Sequence, residues 1–512
     1  MGAELDQSIL ALAIFVPLVT AGLFFIGFGS SRGLAILTFG VPALAAIWTL
    51  FRFQDAEVAL NGYRFVLEWE DTGLRKLGIA FRLGLNGISM PLFALAGIVG
   101  FAAGWQALNS SMIQSRACMG LLALMQAGLM GVFASVDVFF FYFAHELALI
   151  PTFILIGLQG GRDGRGAAIE MTIYLTLGAL LSLGGLIALY VSSGLSSFDL
   201  ASLAEHLRQT PLDKGMQLWI FPMLLFGFGI LVSLFPFHTW APRGYQAAPT
   251  SVSMLHAGVL KKFGLYGFVQ VAAPLLPVGM EGWGELLVWL ALGNVVLIGL
   301  VSLAQTDLKR LIGYSSVMHM GYCFLGIAMG ASMGIPAAVL LMTGHGLAVA
   351  LWFLLERYLC QRTGTSVISE MGGLASKLPV FSCFFIACIL AVIGLPGFAN
   401  FWGEFGVFLS IAADGGKDLT LALALLGVVI STLFGLRAIS RILFGEPSKA
   451  LVEREKDHLF KDLTATERIP AFVLLVALIW IGIWPRSISD PIDTEVSHKF
   501  SIELIDGKGR QP

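Results

Sequence analysis

The stretch FFFYFAHELALIPTFILIG, residues 139–157, is nearly all apolar, yet it carries His145 and Glu146 near its middle. A helix crosses the hydrocarbon core of a bilayer with roughly 20 apolar residues, so the run reads as a transmembrane span. An ionisable pair inside such a span costs several kcal/mol unless it is paired or wet. The stretch therefore predicts a membrane protein and marks a place where polar groups do work inside it.

Runs of the same kind recur along the chain. They predict an all-α polytopic membrane protein with 14 transmembrane helices at about 8–28, 33–51, 88–108, 117–135, 137–158, 169–192, 217–241, 248–273, 284–304, 309–331, 335–360, 379–411, 418–446 and 469–485. Composition agrees: 57% of the 512 residues are hydrophobic and 12% are charged, where a soluble domain carries roughly a quarter charged. The formal net charge of −2 gives no sign of a nucleic-acid partner. The five cysteines form no CxxC or CxxH and lie in or beside apolar runs, which reads as packing. The N-terminus MGAELDQS is acidic and lacks a basic region, so the first run is expected to be a retained span.

Lys and Arg concentrate in the odd-numbered loops, at Arg32, Arg116, Arg162, Arg165, Arg243, Lys309, Arg310, Arg357, Arg362, Lys377 and across 447–468. The bias toward basic cytoplasmic loops then puts both termini on the outer side of the membrane. The loops at 66–87 and 200–215 also hold basic residues, balanced by acids, and read as surface-lying or lumenal segments. Segment 447–468 reads as an amphipathic helix at the cytoplasmic surface.

The ionisable residues at membrane depth form a short list: Glu146, Lys261, Lys262, His319, His345 and Glu404, with His145, Glu170, His238 and His256 as weaker members. A lone buried histidine is usually a satisfied core residue. Lysine and glutamate at mid-membrane are harder to explain without function. Burial brings lysine and carboxyl groups toward neutrality, and histidine starts near it, so the set suits a proton relay. Proline and glycine interrupt the pattern twice, in SLFPFHTWAPRGYQAAP (233–249) and in GLPGFANFWGEF (394–405). Paired interruptions in two halves of a transporter mark its pathway. Their five-span separation fits two repeats, spans 4–8 and 9–13, with helices 7 and 12 broken. This divides the chain into spans 1–3 (1–116), a first repeat (117–273), a second (284–446) and a last part (447–512) with the amphipathic segment, span 14 and an outward tail. There is no Walker loop, no GxGxxG and no pattern for haem or an iron–sulfur cluster, so no cofactor is expected in this chain.

The motifs PFHTWAPRGYQAAPTSVSMLHAGVLKKFGLYGF (236–268), QTDLKRLIGYSSVMHMGY (305–322) and LPGFANFWGEF (395–405) resemble the antiporter-like membrane subunits of respiratory complex I, most closely the NuoM type, called chain 4 in mitochondria, within the Mrp antiporter superfamily. The resemblance spans essentially the whole chain. It implies inverted repeats and a proton-translocating module in the bacterial inner membrane, set among other membrane-arm subunits of an NADH:quinone oxidoreductase. It assigns proton-transfer roles to Glu146, Lys262, His319, His345 and Glu404. The same fold serves Mrp antiporters, membrane-bound hydrogenases and inorganic-carbon uptake complexes, so these parent complexes, and a non-pumping spacer, remain alternatives. One position departs from the family pattern: the lysine expected in broken span 7 is Leu231 here. The chain instead adds Lys261 beside Lys262. Lys261 is expected to turn toward spans 5 and 7 and serve Glu146, unless the site has lost its usual coupling.

Overall fold

A computed structural model describes the chain apart from residues 1, 60–61, 70–72, 75, 77, 162, 458–459 and 507–512. Arg162 in the basic pattern and the end of the expected tail lie outside the described residues. Helices dominate. In chain order they are α1 (Gly2–Phe25), α2 (Ser31–Arg52), α3 (Ser89–Leu108), α4 (Arg116–Ala134), α5 (Val138–Gln159), α6 (Gly164–Ser193), α7 (Leu200–Gln209), α8 (Lys214–Val232) and α9 (Trp240–Ala247). There follow α10 (Thr250–Leu255), α11 (Lys262–Gly267), α12 (Ala273–Leu275), α13 (Pro277–Leu292), α14 (Gly299–Leu303), α15 (Leu308–Ala328) and α16 (Gly334–Thr363). The last are α17 (Pro379–Val392), α18 (Ala399–Ala413), α19 (Asp418–Leu443), α20 (Lys449–Asp457), α21 (Ala465–Ile483) and α22 (Arg486–Asp506). Short π turns join α10 to α11, α11 to α12 and α13 to α14.

Among the described residues, 12 helical segments are long and apolar enough to cross a membrane. The chain is a mostly helical polytopic membrane protein. The two other expected spans are interrupted: 250–275 is a series of short α and π pieces, and 379–413 is α17 followed by α18. Span boundaries otherwise shift by a few residues. Local chemistry sets the ends. Asp137 caps α5 by accepting from the N–H groups of Phe139 and Phe140, Asp307 caps α15 from Arg310, and Thr464 with Glu467 forms a capping box on α21. The centre of the bundle is the α10–α12 run, α15 and α16; the apolar window of α16 is buried throughout.

Three sequence readings need correction. The fold is not all-α: β1 (Val58–Ala59), β2 (Tyr63–Trp69) and β3 (Phe81–Leu85) form an antiparallel sheet in the order β1-β2-β3, within a loop read as merely surface-lying. Tyr63 and Phe65 point inward two residues apart, the period of a strand, and Val136 donates its N–H to Arg82 O at 3.1 Å. The amphipathic helix expected over 447–468 is only the nine-residue α20. Residues 460–464 are not helical and are held by polar contacts. Arg362 grips the carbonyls of Lys461 and Asp462 and both carboxylate oxygens of Glu467, and Asp462 caps α17 through Val380 and Phe381. The tail expected after span 14 begins with the helix α22. The cysteine reading is uneven too: Cys118, Cys323 and Cys388 are buried, whereas Cys383 is exposed on the outer face of α17.

Candidate functional site

The two expected breaks exist, and each is stabilised by buried polar side chains. After α8 the chain turns at Ser233, a non-glycine residue at φ 68°, and becomes helical again at Trp240. The carboxamide of Asn294, in the π turn between α13 and α14, accepts from Phe235 N at 2.6 Å and donates to Ser233 O at 3.1 Å and Val317 O at 2.9 Å. Trp240 Nε1 donates to Ile230 O at 3.1 Å, a carbonyl in the last turn of α8. On the other side of the gap Arg243 pairs with Asp163 and Glu170, and Thr239 donates to Glu170 at 3.1 Å. His238 stays beside its own Pro236 carbonyl at 3.1 Å. Glu170 and His238 thus belong to the scaffold of the break.

The second break follows the same rule of backbone satisfaction. The helix α17 stops at Val392, Gly394 and Gly397 take φ of 73° and 100°, and α18 begins at Ala399. His319 Nε2 lies 3.0 Å from Val392 O, the last carbonyl of α17. This contact brings the α15 histidine to the break. Glu404, one turn into α18, sits 3.6 Å from the same ring nitrogen and is 4% exposed.

From Glu404 a continuous set of polar groups runs inward. The rings of His319 and His345 have centroids 5.6 Å apart. His345 Nδ1 is 3.0 Å from Lys262 Nζ, which also donates to Ala257 O at 2.6 Å, a carbonyl of the π turn His256–Leu260. Lys262, His345, His319 and Glu404 therefore meet across α11, α16, α15 and α18, all of them buried. The chemistry of the line is that of a switchable chain. His319 Nδ1 faces Ser315 O at 2.7 Å while Nε2 faces Val392 O. A neutral imidazole donates through one nitrogen only, so the ring serves one carbonyl when neutral and both when it gains a proton.

The first half is arranged differently. His145 Nδ1 is 3.6 Å from Glu146 Oε1. The His145 ring stacks on Phe263 with centroids 3.8 Å apart. Glu146 is partly exposed on the outer surface of the chain, at 29% of its side chain. Leu231 is buried and apolar.

Lys261 does not point where the sequence reading placed it. Its Nζ lies 3.4 Å from Ser316 Oγ on α15 and 5.8 Å from the centre of the Tyr245 ring. Among the described residues, Glu146 pairs with His145 and with no lysine. The physical cause is the helix itself: adjacent residues diverge by about 100°, and Lys261 N–H bonds back five residues to His256 O in a π turn. Lys262 faces α16 and Lys261 faces α15. Sequence reasoning also missed Asn294, Tyr245 and Ser316. For Asn294 the signal was present, as one amide in the apolar run LALGNVVLIGL; for the other two only tertiary packing reveals it.

At the end of the bundle where the odd-numbered loops gather, a cavity of about 390 Å³ is lined by Asp163, Arg243, Thr250, Lys309, Glu356 and Arg357, among others. A second, of about 290 Å³, shares Gly161, Gln246, Thr250, Lys309 and Arg357 with it. Lys309 Nζ donates to Ala248 O at 2.7 Å beside both.

Residues 135–433 match the family described as NADH:quinone oxidoreductase/Mrp antiporter, TM. NADH-quinone oxidoreductase subunit M of Rickettsia bellii is 31% identical, with 94% of this chain and 97% of that one aligned. NAD(P)H-quinone oxidoreductase chain 4 of a Picosynechococcus species is also 31% identical, over 91% and 88%. A chain of respiratory complex I from Thermus thermophilus, solved with bound NADH, superposes with a TM-score of 0.83 at 28% identity, covering 96% of this chain and 99% of that one.

Proposed function

The chain belongs to the NADH:quinone oxidoreductase/Mrp antiporter family, and from its buried polar line we propose that it is the proton-translocating, antiporter-like membrane-arm subunit of an NADH:quinone oxidoreductase. The observation that carries the reading is the set Lys262–His345–His319–Glu404, linked at 3.0 Å, by adjacent rings and at 3.6 Å, and ending at a helix break. Lys262 holds a proton at Nζ, the two histidines pass it, and Glu404 accepts it at the break. Electron transfer takes place in other subunits of the complex, and this chain works without a cofactor of its own. Glu146, partly exposed beside His145, is the acid that links the chain to a neighbouring antiporter-like subunit.

In this reading α10–α12 and the α17–α18 pair complete a set of 14 spans, 4–8 and 9–13 are inverted repeats, and the four segments 1–116, 117–273, 284–446 and 447–512 are its working parts. The cavity-bearing end, where the basic odd loops meet, faces the cytoplasm, and both termini face outward across a bacterial inner membrane. Leu231 favours one second reading, a spacer whose first half no longer pumps.

The test uses the assembled complex in sealed vesicles driven by NADH. Glu404→Gln and Lys262→Met should each reduce proton uptake by roughly a hundredfold, the low end of what a positioned proton-transfer group contributes. Undiminished pumping in both variants, with the complex assembled to wild-type yield, would refute the relay.

A further inference from the structure

A third cavity, of about 440 Å³, lies where α7, the turn between α12 and α13, and the helix α22 meet. Its segments belong to even-numbered loops, so it sits at the end of the bundle opposite the two cavities among the basic loops. Its walls are apolar, Leu207, Pro274, Leu275, Val278 and Phe500 among them, and three polar side chains interrupt them. Gln217 is already satisfied: it accepts from Val278 N at 3.0 Å and donates to Leu212 O at 2.9 Å. The other two are cations, Arg208 on α7 and Lys499 on α22, and among the described residues no acid lines the cavity.

Both cations are held in place with donors to spare. Arg208 donates to Glu205 at 3.2 Å through one of its five N–H groups. Lys499 donates to the carboxamide of Gln270, which exchanges hydrogen bonds of 3.0 and 3.3 Å with Asn86; both amides are buried. Glu205 and Glu495 line a separate, smaller cavity of about 100 Å³, which the two cations also reach. Burial pulls the Lys499 ammonium down to about 8, Glu495 pulls it up, and the nearby Arg208 charge pulls it down again. An anion in the larger cavity offsets both the burial and the repulsion between the two cations. The rim is suited to lipid. Beside the cavity α8 exposes Met216, Leu218 and Trp219, the last at 78%, and Trp283 of α13 donates to Leu218 O at 3.1 Å. Tryptophans at the ends of spans mark the headgroup level of a bilayer.

We propose that this cavity binds an anionic phospholipid, its phosphate between Arg208 and Lys499 and its glycerol and upper acyl chain against the apolar walls. A free phosphate leaves those walls bare, and a zwitterionic headgroup brings a third cation to the two already there. The site shares no residue with the line from Lys262 to Glu404, so it stands apart from the relay. A basic side chain near an anionic lipid strengthens binding by about fivefold, and two by about thirtyfold.

The experiment is native mass spectrometry of the full chain released from mixed micelles that hold equal amounts of dioleoylphosphatidylglycerol and dioleoylphosphatidylcholine. The wild-type chain should retain phosphatidylglycerol over phosphatidylcholine by about thirtyfold. Arg208→Gln and Lys499→Met should each cut that preference by about fivefold, and the double variant should abolish it. Equal retention of the two lipids by the wild type, or an unchanged preference in the double variant, overturns the proposal. Inorganic phosphate added in excess should leave the bound lipid in place; displacement would identify a site for a free anion and overturn the lipid assignment. Should the double variant not survive purification, Val278→Trp decides, because it fills the cavity and keeps both charges. Loss of the phosphatidylglycerol-bound species then supports the site, and wild-type retention overturns it.

Discussion

Replacing Asn294 by leucine tests whether the first helix break is held by side-chain chemistry. The two side chains are similar in size, so little packing changes. What is lost is one acceptor for Phe235 N–H, at 2.6 Å, and donors to the carbonyls of Ser233 and Val317, at 3.1 and 2.9 Å. Each hydrogen bond is worth about 1 kcal/mol net, and each buried backbone group left unpaired costs about 1–3 kcal/mol. Inter-helix polar contacts in membranes average somewhat less, near 0.6 kcal/mol. With three groups affected, a loss of about 3 kcal/mol is expected, which lowers the population of the intact break by roughly 150-fold relative to alternatives. Ser233 adds to the demand, because its φ of 68° is unfavourable for a residue with a side chain and persists only where its surroundings enforce it. The assay is thermal unfolding of the detergent-purified protein, followed with proton uptake by the assembled complex. Asn294→Leu should lower both, and Asn294→Asp should retain the Phe235 contact while losing the two donated bonds. An Asn294→Leu protein that melts and pumps like wild type would show that the break is held by packing alone.

The second break makes a complementary prediction at Gly394. Its φ of 73° suits glycine, and a Cβ there would run into the Glu404 carboxylate. Gly394→Ala should therefore displace Glu404 from His319 and reduce proton uptake more than it reduces assembly; equal losses in both would refute a specific effect on Glu404. At the N-cap of α5, burial pushes the Asp137 carboxyl up from 3.8 to about 6, against the pull of the Ala80, Phe139 and Phe140 N–H groups. A folded-state value above the unfolded one means that this group's stabilising proton is fully bound in the fold below pH ~4 and is lost as pH rises through about 6. Stability of the purified protein should fall across that window, and Asp137→Asn, which keeps a capping acceptor, should flatten the fall in a melting-temperature series. An unchanged slope would assign the pH dependence elsewhere.

The membrane class, most of the helices, both breaks and the candidate residues Lys262, His319, His345 and Glu404 were legible in the sequence. They follow from local rules: apolar runs of bilayer length, proline and glycine punctuation, and the cost of burying a charge. The small sheet was misread because its strands hide within a loop rich in charge, where alternation of Tyr63 and Phe65 is too short to stand out. Segment 447–468 was misread because its amphipathic pattern is real but is overruled beyond α20 by the Arg362 guanidinium and the Asp462 cap.

Residue identity alone determined that Lys261 and Lys262 diverge, since neighbours on a helix cannot share a face. It did not determine where each one goes. That depends on the π turn preceding them and on which helices the fold sets opposite, α16 with His345 for one and α15 with Ser316 for the other. The same holds for Asn294, an amide whose three partners come from two other segments of the chain. Sequence prices the burial of a polar group; only the packed bundle decides which partner satisfies it.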